Sequence, residues 1–265
     1  NLDEIVPLGW GIFGWINRFI FIPVFGFIAG IGVGYGMAIV LFTILVRIVM
    51  SPVTYKSYLS QAKMKVLRPE ITELNEKFKD NPMKKQQETM KLYSKAGVNP
   101  MAGCLPALMQ MPIFYALFQF FPSMFDLRQK SFLWAEDLSS YDSIYDFGFY
   151  IPMYGDHISL FTLLMAITTL VYTWLNSGNM QQPTQPGMPN MKVIMYIFPF
   201  MMIFFFNNYS AGLSYYYFIS TLSSIIIMVA IKQFFVDEEK LKEKMAAKKE
   251  AAVAKGPKAK SKFQE

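Results

Sequence analysis

Several apolar segments in this chain are each long enough to cross a lipid bilayer, and they restrict the possible folds more than any other feature. A transmembrane helix needs about 20 predominantly apolar residues. In lipid, only helices and closed barrels satisfy every backbone polar group. Hydrophobic residues make up 53% of the 265 positions, which exceeds the roughly 45–50% of soluble domains. The sequence therefore predicts an all-α membrane protein.

The alternation of these apolar segments with polar ones predicts a five-transmembrane-helix bundle, preceded by an N-terminal interfacial helix and carrying a cytoplasmic helical hairpin. In chain order, the predicted segments are the N-terminal interfacial helix region (1–31), transmembrane 1 (32–54), the hairpin (55–98), transmembrane 2 (99–122), a periplasmic loop (123–157), transmembrane 3 (158–175), a cytoplasmic loop (176–191), transmembrane 4 (192–207), a periplasmic turn (208–212), transmembrane 5 (213–235) and a basic cytoplasmic tail (236–265).

The distribution of charge predicts the orientation of this bundle. Lysine and arginine concentrate in the hairpin and the tail, whereas the loop at 123–157 is acidic. Lysine-rich segments stay in the cytoplasm, so five spans place the N-terminus outside and the C-terminus in the cytoplasm. A sixth span within 1–31, broken by Pro23, is the alternative to an interfacial helix. It would move the N-terminus to the cytoplasmic side, where no lysine cluster holds it.

The residue inventory argues against enzyme chemistry. One cysteine cannot form an intramolecular disulfide, and one histidine argues against a histidine-based metal site or a catalytic triad. The sequence has no Walker motif, acidic metal cluster or nucleophile–base pair. We therefore expect a protein that is not an enzyme, with no catalytic residue, no metal ligand and no cofactor.

Arg47 interrupts the first predicted span. The apolar residues around it favour insertion by roughly 3–5 kcal/mol in total, which exceeds the ~2.5–3.5 kcal/mol opposing contribution of one arginine. Three interpretations remain open: snorkelling to the headgroups, an ion pair inside the bundle, or a charge facing a water-filled cavity. The predicted spans contain no Asp or Glu, which weakens the ion pair, and intramembrane charges usually face aqueous pockets.

Four blocks of sequence resemble the YidC/Oxa membrane protein insertase family, and the similarity extends from about Trp10 to Phe234. The chain is most similar to the C-terminal insertase region of Gram-negative bacterial members, in which a further span and a large periplasmic domain precede this region. The most specific block is NPMAGCLPALMQMPIF (99–114). The blocks are TILVRIVMSPVT (43–54), NPMAGCLPALMQMPIF (99–114), DLRQKSFLWAEDLS (126–139) and YSAGLSYYYFISTL (209–222).

The resemblance implies a hydrophilic, positively charged groove within the membrane, open to the cytoplasm and to lipid. Nascent membrane proteins would enter the bacterial inner membrane through it without nucleotide hydrolysis. The expected groove residues are Arg47, Thr43, Gln110 and Tyr217, and an apolar slide for the substrate helix would comprise Met111, Phe114 and Phe205. Structural alternatives remain: Gln110 can satisfy backbone freed by a proline, Tyr217 can belong to an interfacial aromatic belt, and the slide residues can simply pack.

The same resemblance implies several partners. They are nascent membrane proteins as substrates, the ribosome through the hairpin and the basic tail, the Sec translocon, and anionic lipids. In a simpler interpretation, the lysine-rich tail is only an orientation signal.

The turn before the last predicted span departs from the family pattern. Ser210 stands where bacterial members usually have proline, and Asn207 and Asn208 make the turn more polar. These positions lie far from Arg47 in the sequence, so we expect them to alter only the shape of the outer end.

Overall fold

The computed structural model describes residues 12–99, 105–177, 191–235, 239, 241–243 and 245–247. The chain divides into two compact units. Unit 1 comprises residues 1–53, 106–178 and 189–228, and unit 2 comprises residues 54–105, 179–188 and 229–265.

The described part of the chain is mostly helical, as the sequence predicts. The helices are α1 (Ile12–Ile16), α2 (Ile22–Gly30), α3 (Tyr35–Val66), α4 (Arg68–Lys77), α5 (Pro82–Lys95), α6 (Leu105–Ser123), α7 (Leu160–Ser177), α8 (Met191–Phe206) and α9 (Ala211–Ala230), and the strands are β1 (Tyr145–Ile151) and β2 (Gly155–Ile158). A π-helical turn at Asn17–Phe21 joins α1 to α2, and another, Ile231–Phe235, follows α9.

Two helices, Tyr35–Val66 and Ala211–Gln233, are long and apolar enough to cross a membrane by themselves. Shorter apolar helices cover Gly14–Gly30, Leu160–Asn176 and Val193–Phe206. Residues 1–11, 100–104 and 178–190 and most of the tail lie outside the described residues, so the ends predicted there are not located.

The core of unit 1 is dominated by aromatic rings. Phe25 of α2, Phe42 of α3 and Phe120 of α6 are buried and contact one another, with ring centroids 5.6 to 6.1 Å apart. The amide of Asn17 also donates to the Ala116 carbonyl over 2.8 Å. The N-terminal helical region is therefore packed into the bundle along part of its length.

The boundary predicted at residue 54 is not the end of a helix. α3 begins at Tyr35 and continues to Val66, with Pro52 inside it. The change from apolar to basic sequence marks a change of surroundings, but lysine, glutamine and methionine are all good helix formers. The segment 55–66, which we predict to begin the hairpin, instead extends α3.

Unit 2 contains α4 and α5, which are joined by a short turn at residues 78–81. Asn81 caps α5 by accepting a hydrogen bond from the Lys84 amide over 3.0 Å. The small core of this unit consists of Leu67, Ile71, Tyr93, Ala96 and Val98, together with Met245 of the tail.

The predicted loop at 123–157 contains β structure that the prediction of an all-α fold omits. β1 pairs antiparallel with β2, and an irregularity in register lies between Asp146 and Ile151. Alternating aromatic residues, Tyr145, Phe147 and Phe149, are a recognised strand signal, but the acidic composition of the segment led to a loop prediction. Elsewhere the described part of this segment has only a short 3₁₀ turn and an isolated bridge.

Candidate functional site

The guanidinium group of Arg47 connects α3 to α9 inside unit 1. Its Nη2 donates a hydrogen bond to the hydroxyl of Ser220, which is fully buried. At about 1.5 Å per residue, Arg47 lies roughly 18 Å along α3, and Ser220 lies about 14 Å along α9. The hydrogen bond directs the side chain towards α9, which favours an interior position over snorkelling.

Two tyrosines of α9 lie beside this arginine. Tyr216 interacts with Ser220, and both Tyr216 and Tyr217 are within electrostatic reach of the guanidinium group. The two rings are perpendicular, with centroids 5.2 Å apart. None of the carboxylates in the described ranges forms an ion pair with Arg47. The charge is therefore surrounded by neutral hydroxyl groups, which can both donate and accept hydrogen bonds.

Gln110 of α6 completes a polar cluster in which several buried atoms lack hydrogen-bond partners. Its side chain approaches the Tyr217 hydroxyl without reaching hydrogen-bond geometry. Among the described residues, buried atoms without a partner include Arg47 Nε, Gln110 Nε2 and Tyr217 Oη. Leaving a buried donor unpaired costs about 1–3 kcal/mol. We call Arg47, Gln110, Tyr217 and Ser220 the arginine cluster.

Thr43 lies in the same bundle one turn before Arg47 and is fully buried. Its hydroxyl donates to the Ile39 carbonyl of its own helix over 2.7 Å. Its proton is therefore already used, although the oxygen can still accept a hydrogen bond. Thr43 therefore has less free hydrogen-bonding capacity than Gln110 or Tyr217, the other polar residues predicted to line the groove.

The three predicted slide residues do not share one environment. Met111 of α6 and Phe205 of α8 are exposed at 66% and 65%, whereas Phe114 is half-buried. The ring of Phe114 contacts Tyr217 of the arginine cluster, with centroids 5.4 Å apart. Phe118 links Phe114 to Phe205 through stacked rings at 6.1 and 6.3 Å. An apolar path therefore leads from the cluster to the exposed surface of α8.

A second polar network lies where α6 and α8 end and α7 and α9 begin, which we call the loop end. Its centre is Asp142, which is only 2% exposed. The carboxylate accepts hydrogen bonds from the Trp134 indole at 2.9 Å and from the Leu160 and Phe161 amides at 2.9 and 3.1 Å. The Ser159 hydroxyl donates to it as well. Asp142 thus caps α7, where a negative charge also complements the helix dipole.

Asn207 forms a similar junction between the β1–β2 hairpin and the end of α8. Its Nδ2 donates to the Tyr154 and His157 carbonyls at 2.9 and 2.8 Å, and its Oδ1 accepts from the Ser159 amide at 3.0 Å. The His157 Nε2 contacts the Asn207 carbonyl at 3.0 Å, and its Nδ1 contacts Asp156 at 3.0 Å. That contact with His157 lowers the pKa of the Asp156 carboxyl.

The loop end also holds the start of α9. The Ser210 hydroxyl and the Gly212 amide each donate to the Leu138 carbonyl over 2.8 Å. A Cβ on Gly212 would lie 2.9 Å from that carbonyl oxygen, so only glycine permits this approach. The hydroxyl of Ser210 therefore contributes a hydrogen bond that a proline at this position could not make.

Sequence reasoning missed several of these residues. Ser220 and Phe118 join the cluster and the apolar path, and Asp142 and Asn207 organise the loop end. The helical spacing of Met111, Phe114 and Phe118 at i, i+3 and i+7 is a signal that places Phe118 on the same face. For the other three residues, no local pattern specifies the partners. Within the described ranges, no group of His, Cys, Asp or Glu side chains is arranged to hold a metal ion.

The fold and this site define a helical membrane protein with a cluster of polar groups around one half-buried arginine. The family model described as 60Kd inner membrane protein matches residues 27–239. A membrane protein insertase YidC of Parabacteroides distasonis is 52% identical over 209 residues, 77% of this chain and 33% of that protein. A YidC of Pelodictyon phaeoclathratiforme is 45% identical over 207 residues, 77% of this chain and 34% of that protein.

A solved structure agrees with these matches. It is described as an active YidC insertase crystal structure with the first transmembrane domain resolved, with a TM-score of 0.54 and 29% identity, and the match covers 84% of this chain and 47% of that one. The chain therefore belongs to the YidC/Oxa membrane protein insertase family, which confirms the resemblance. It spans about a third of the length of the curated relatives that it matches.

Proposed function

We propose that this chain inserts nascent membrane proteins into the bacterial inner membrane and that the arginine cluster is the point of entry. The observation that carries the proposal is a half-buried arginine held by Ser220 beside two unpaired polar groups, Gln110 and Tyr217. Unpaired buried polar groups are unfavourable in a finished core. They become favourable when a guest molecule or water supplies their partners.

Arg47 acts on the hydrophilic segment of the substrate. A polar or acidic segment that crosses a bilayer loses its hydration, which is the main barrier to its transfer. A guanidinium group offers several donors to a carboxylate and forms strong charge-assisted hydrogen bonds. A polar cluster at mid-depth shortens the apolar distance that the segment must cross. No nucleotide hydrolysis is needed, because partitioning of the apolar helix drives the reaction.

The apolar part of the substrate moves along the path from Phe114 to Phe205. The Phe114 ring touches the cluster, and the Phe205 ring is open on the surface of α8. Methionine and phenylalanine accommodate different apolar side chains without specific hydrogen bonds. The substrate helix therefore leaves sideways into lipid while its polar segment remains near Arg47.

The proposed topology follows from the charge pattern. The N-terminus lies in the periplasm, the helical hairpin (55–98) and the basic tail lie in the cytoplasm, and the loop at 123–157 lies in the periplasm. The helical hairpin and the tail would meet the ribosome or anionic lipids by electrostatic attraction, and the chain would act alone or beside the Sec translocon. The names of the relatives support a role in membrane protein insertion. Contacts with the ribosome, the Sec translocon and anionic lipids are further parts of the proposal.

The direct test uses the purified chain in liposomes and a single-span substrate with a short acidic N-terminal tail. Insertion is scored as protection of the tail from external protease. We expect Arg47→Ala to lower the insertion rate about tenfold, the effect of losing ~1.4 kcal/mol of charge-assisted hydrogen bonding. Arg128→Ala is the matched control, because it removes the same charge from an exposed loop.

A second substrate, whose acidic residues are replaced by glutamine, separates recognition of the substrate's negative charge from a general effect of a hydrated polar site. If Arg47→Ala affects only the acidic substrate, the cluster recognises carboxylates. If both substrates insert normally in the variant, Arg47 has no role in entry. If the unaltered chain adds nothing over empty liposomes, the chain alone is not an insertase.

A further inference from the structure

The β1–β2 hairpin combines firm docking with an unusually apolar surface. A two-stranded hairpin alone is marginally stable in water. Here, Asn207 binds the Tyr154 and His157 carbonyls, and the Asn208 side chain donates to the Tyr154 carbonyl over 2.7 Å. Gly155 has φ +112, and a Cβ there would lie 2.5 Å from Asn208 Oδ1. The hairpin is thus fixed on the turn between α8 and α9.

The exposed side of this docked hairpin is rich in large apolar side chains. Tyr145, Phe149, Tyr150 and Met153 are exposed at 61%, 63%, 69% and 81%. A short segment with this many exposed aromatic and aliphatic groups is unusual on a surface that faces only water. Such a surface usually marks a contact with a membrane or another molecule.

Part of this surface is continuous with the exposed apolar face of α8. The rings of Tyr145, Phe147 and Phe149 form a row with successive centroids 5.8 Å apart. Phe147 contacts Tyr154 at 6.1 Å, and Tyr154 contacts Phe204 of α8 at 5.7 Å. We call these five residues the aromatic strip. Phe204 is 50% exposed beside the similarly exposed Phe200, Met201 and Phe205, so the strip continues into an exposed apolar face of α8.

The charge of the segment indicates which surface the strip fits. Residues 131–190 contain no lysine or arginine, and the hairpin carries Asp146 and Asp156. Attraction to anionic headgroups therefore does not contribute. Tyrosine and other amphipathic rings partition into the neutral interfacial layer of a bilayer, where the ring is apolar and the hydroxyl is hydrated.

We propose that the aromatic strip lies in the lipid headgroup layer at the loop end and anchors the hairpin on the membrane beside α8. The partner is the interface of a zwitterionic bilayer, reached through ring burial. The Asn207 and Asn208 contacts hold the hairpin at the height at which Tyr145 and Phe149 meet the headgroups. The proposal is independent of whether the arginine cluster inserts substrates.

The test compares two adjacent positions of β1. Phe149 belongs to the strip through its ring contact with Phe147, whereas Tyr150, which is similarly exposed, is not one of the five strip residues. In a Cys104→Ser background, which removes the natural cysteine, Phe149→Cys and Tyr150→Cys each carry an environment-sensitive fluorophore. The chain is reconstituted in phosphatidylcholine liposomes, and quenching by lipids spin-labelled near the headgroup is compared with quenching by aqueous iodide. Tyr145→Cys provides a second strip position.

We expect the label at Phe149→Cys to lose roughly half of its emission to the lipid quencher, because interfacial side chains lie within about 5–10 Å of the acyl boundary. The label at Tyr150→Cys should respond mainly to iodide. If both strip labels respond only to iodide, the strip faces water, and a protein partner would fit it better. If Tyr150→Cys responds to lipid as strongly as Phe149→Cys, the proposed orientation of the strip is wrong.

Discussion

The arginine cluster and the loop end are both groups of buried polar side chains in unit 1, but they differ in how completely they are hydrogen-bonded. At the loop end, Asp142 receives four hydrogen bonds, and Asn207 uses both its amide and its oxygen. In the arginine cluster, Arg47 Nε, Gln110 Nε2 and Tyr217 Oη have no partner among the described residues.

This difference separates a structural role from a binding role. A fully satisfied polar network stabilises one arrangement of its elements, because every displacement leaves a buried group unpaired. A partly satisfied network has capacity to bind something else, at the expense of stability. The loop end is therefore built to hold its elements in one arrangement, whereas the proposed function assigns the arginine cluster the binding of a polar guest.

The largest effect that we expect is the loss of stability in Asp142→Asn. Asparagine lacks the negative charge, and its amide nitrogen would face donors such as the Trp134 indole and the Leu160 amide. The buried donors left unpaired and the lost helix cap should cost about 3 kcal/mol, equivalent to a decrease in Tm of about 6–10 °C. Thermal unfolding in detergent, followed by circular dichroism, measures it.

Asp146→Asn is the control for this variant. Asp146 is exposed and accepts a hydrogen bond from the neighbouring Ser143 hydroxyl over 2.8 Å, so its replacement should change Tm by about 1–2 °C or less. Equal decreases for the two variants would contradict the idea that the loop-end network is the stabilising one.

Asn207→Ala should have the next largest effect. It removes both side-chain hydrogen bonds to the hairpin and leaves the Ser159 amide unpaired, at a cost of about 2 kcal/mol. Amide hydrogen exchange in 145–158 should accelerate by about tenfold or more. Asn208→Ala removes one exposed hydrogen bond and should accelerate exchange much less. If the two variants behave alike, Asn207 is not the main attachment of the hairpin.

The sequence predicts the arginine cluster better than the loop end, for a physical reason. One charge in an apolar run is conspicuous, and Gln110 and Tyr217 are polar residues within otherwise apolar segments that match a known family. The family itself is confirmed, and so is the mostly helical fold. Ser220 could not be identified, because serine in a helix often bonds to its own backbone and only packing selects one serine as the partner of Arg47.

The loop end depends on contacts that local sequence does not encode. Asp142 caps a helix that begins 18 positions later, and Asn207 binds β2 from 50 positions away. The sequence shows that Asn207 and Asn208 make this turn more polar than the family pattern. Their role in binding the β1–β2 hairpin becomes apparent only from the position of that hairpin in the structure. Strand formation at Tyr145–Ile151 likewise depends on docking more than on intrinsic propensity.

The arginine cluster should respond to substitution in the opposite way to the loop end. Gln110→Leu combined with Tyr217→Phe replaces two unpaired polar groups by apolar ones, so stability should be unchanged or rise by up to about 1 kcal/mol. Insertion of the acidic substrate should nevertheless fall several-fold. The same liposome assay and thermal unfolding provide the two readouts.

Tyr172→Phe serves as the control, since it removes a hydroxyl from α7 outside the cluster. Normal insertion and unchanged stability are expected for it. A clear loss of stability in the Gln110→Leu, Tyr217→Phe double variant would mean that the cluster is structural, which would remove the contrast with the loop end.

The smallest effect that we expect is a loss of local stability near Asp137 at low pH. Partial burial favours the neutral form of Asp137, but the hydrogen bonds from the Ser139 hydroxyl and amide, at 2.8 Å each, outweigh it and lower the pKa of the carboxyl. A carboxyl with a lowered folded pKa stabilises the folded state above its unfolded pKa, about 3.9. That contribution disappears as the pH falls through the lower folded value.

Acidification below about pH 4 should therefore loosen residues 137–140, whose carbonyls hold the start of α9 through Gly212 and Ala211. The arginine cluster contains no carboxylate and should not respond. Hydrogen exchange, corrected for the intrinsic effect of pH, should show a modest loss of protection for the Gly212 amide in the natural chain. In Asp137→Asn, protection should be lower at neutral pH and nearly independent of acid. Equal acid responses of Gly212 in both proteins would show that another carboxyl controls this contact.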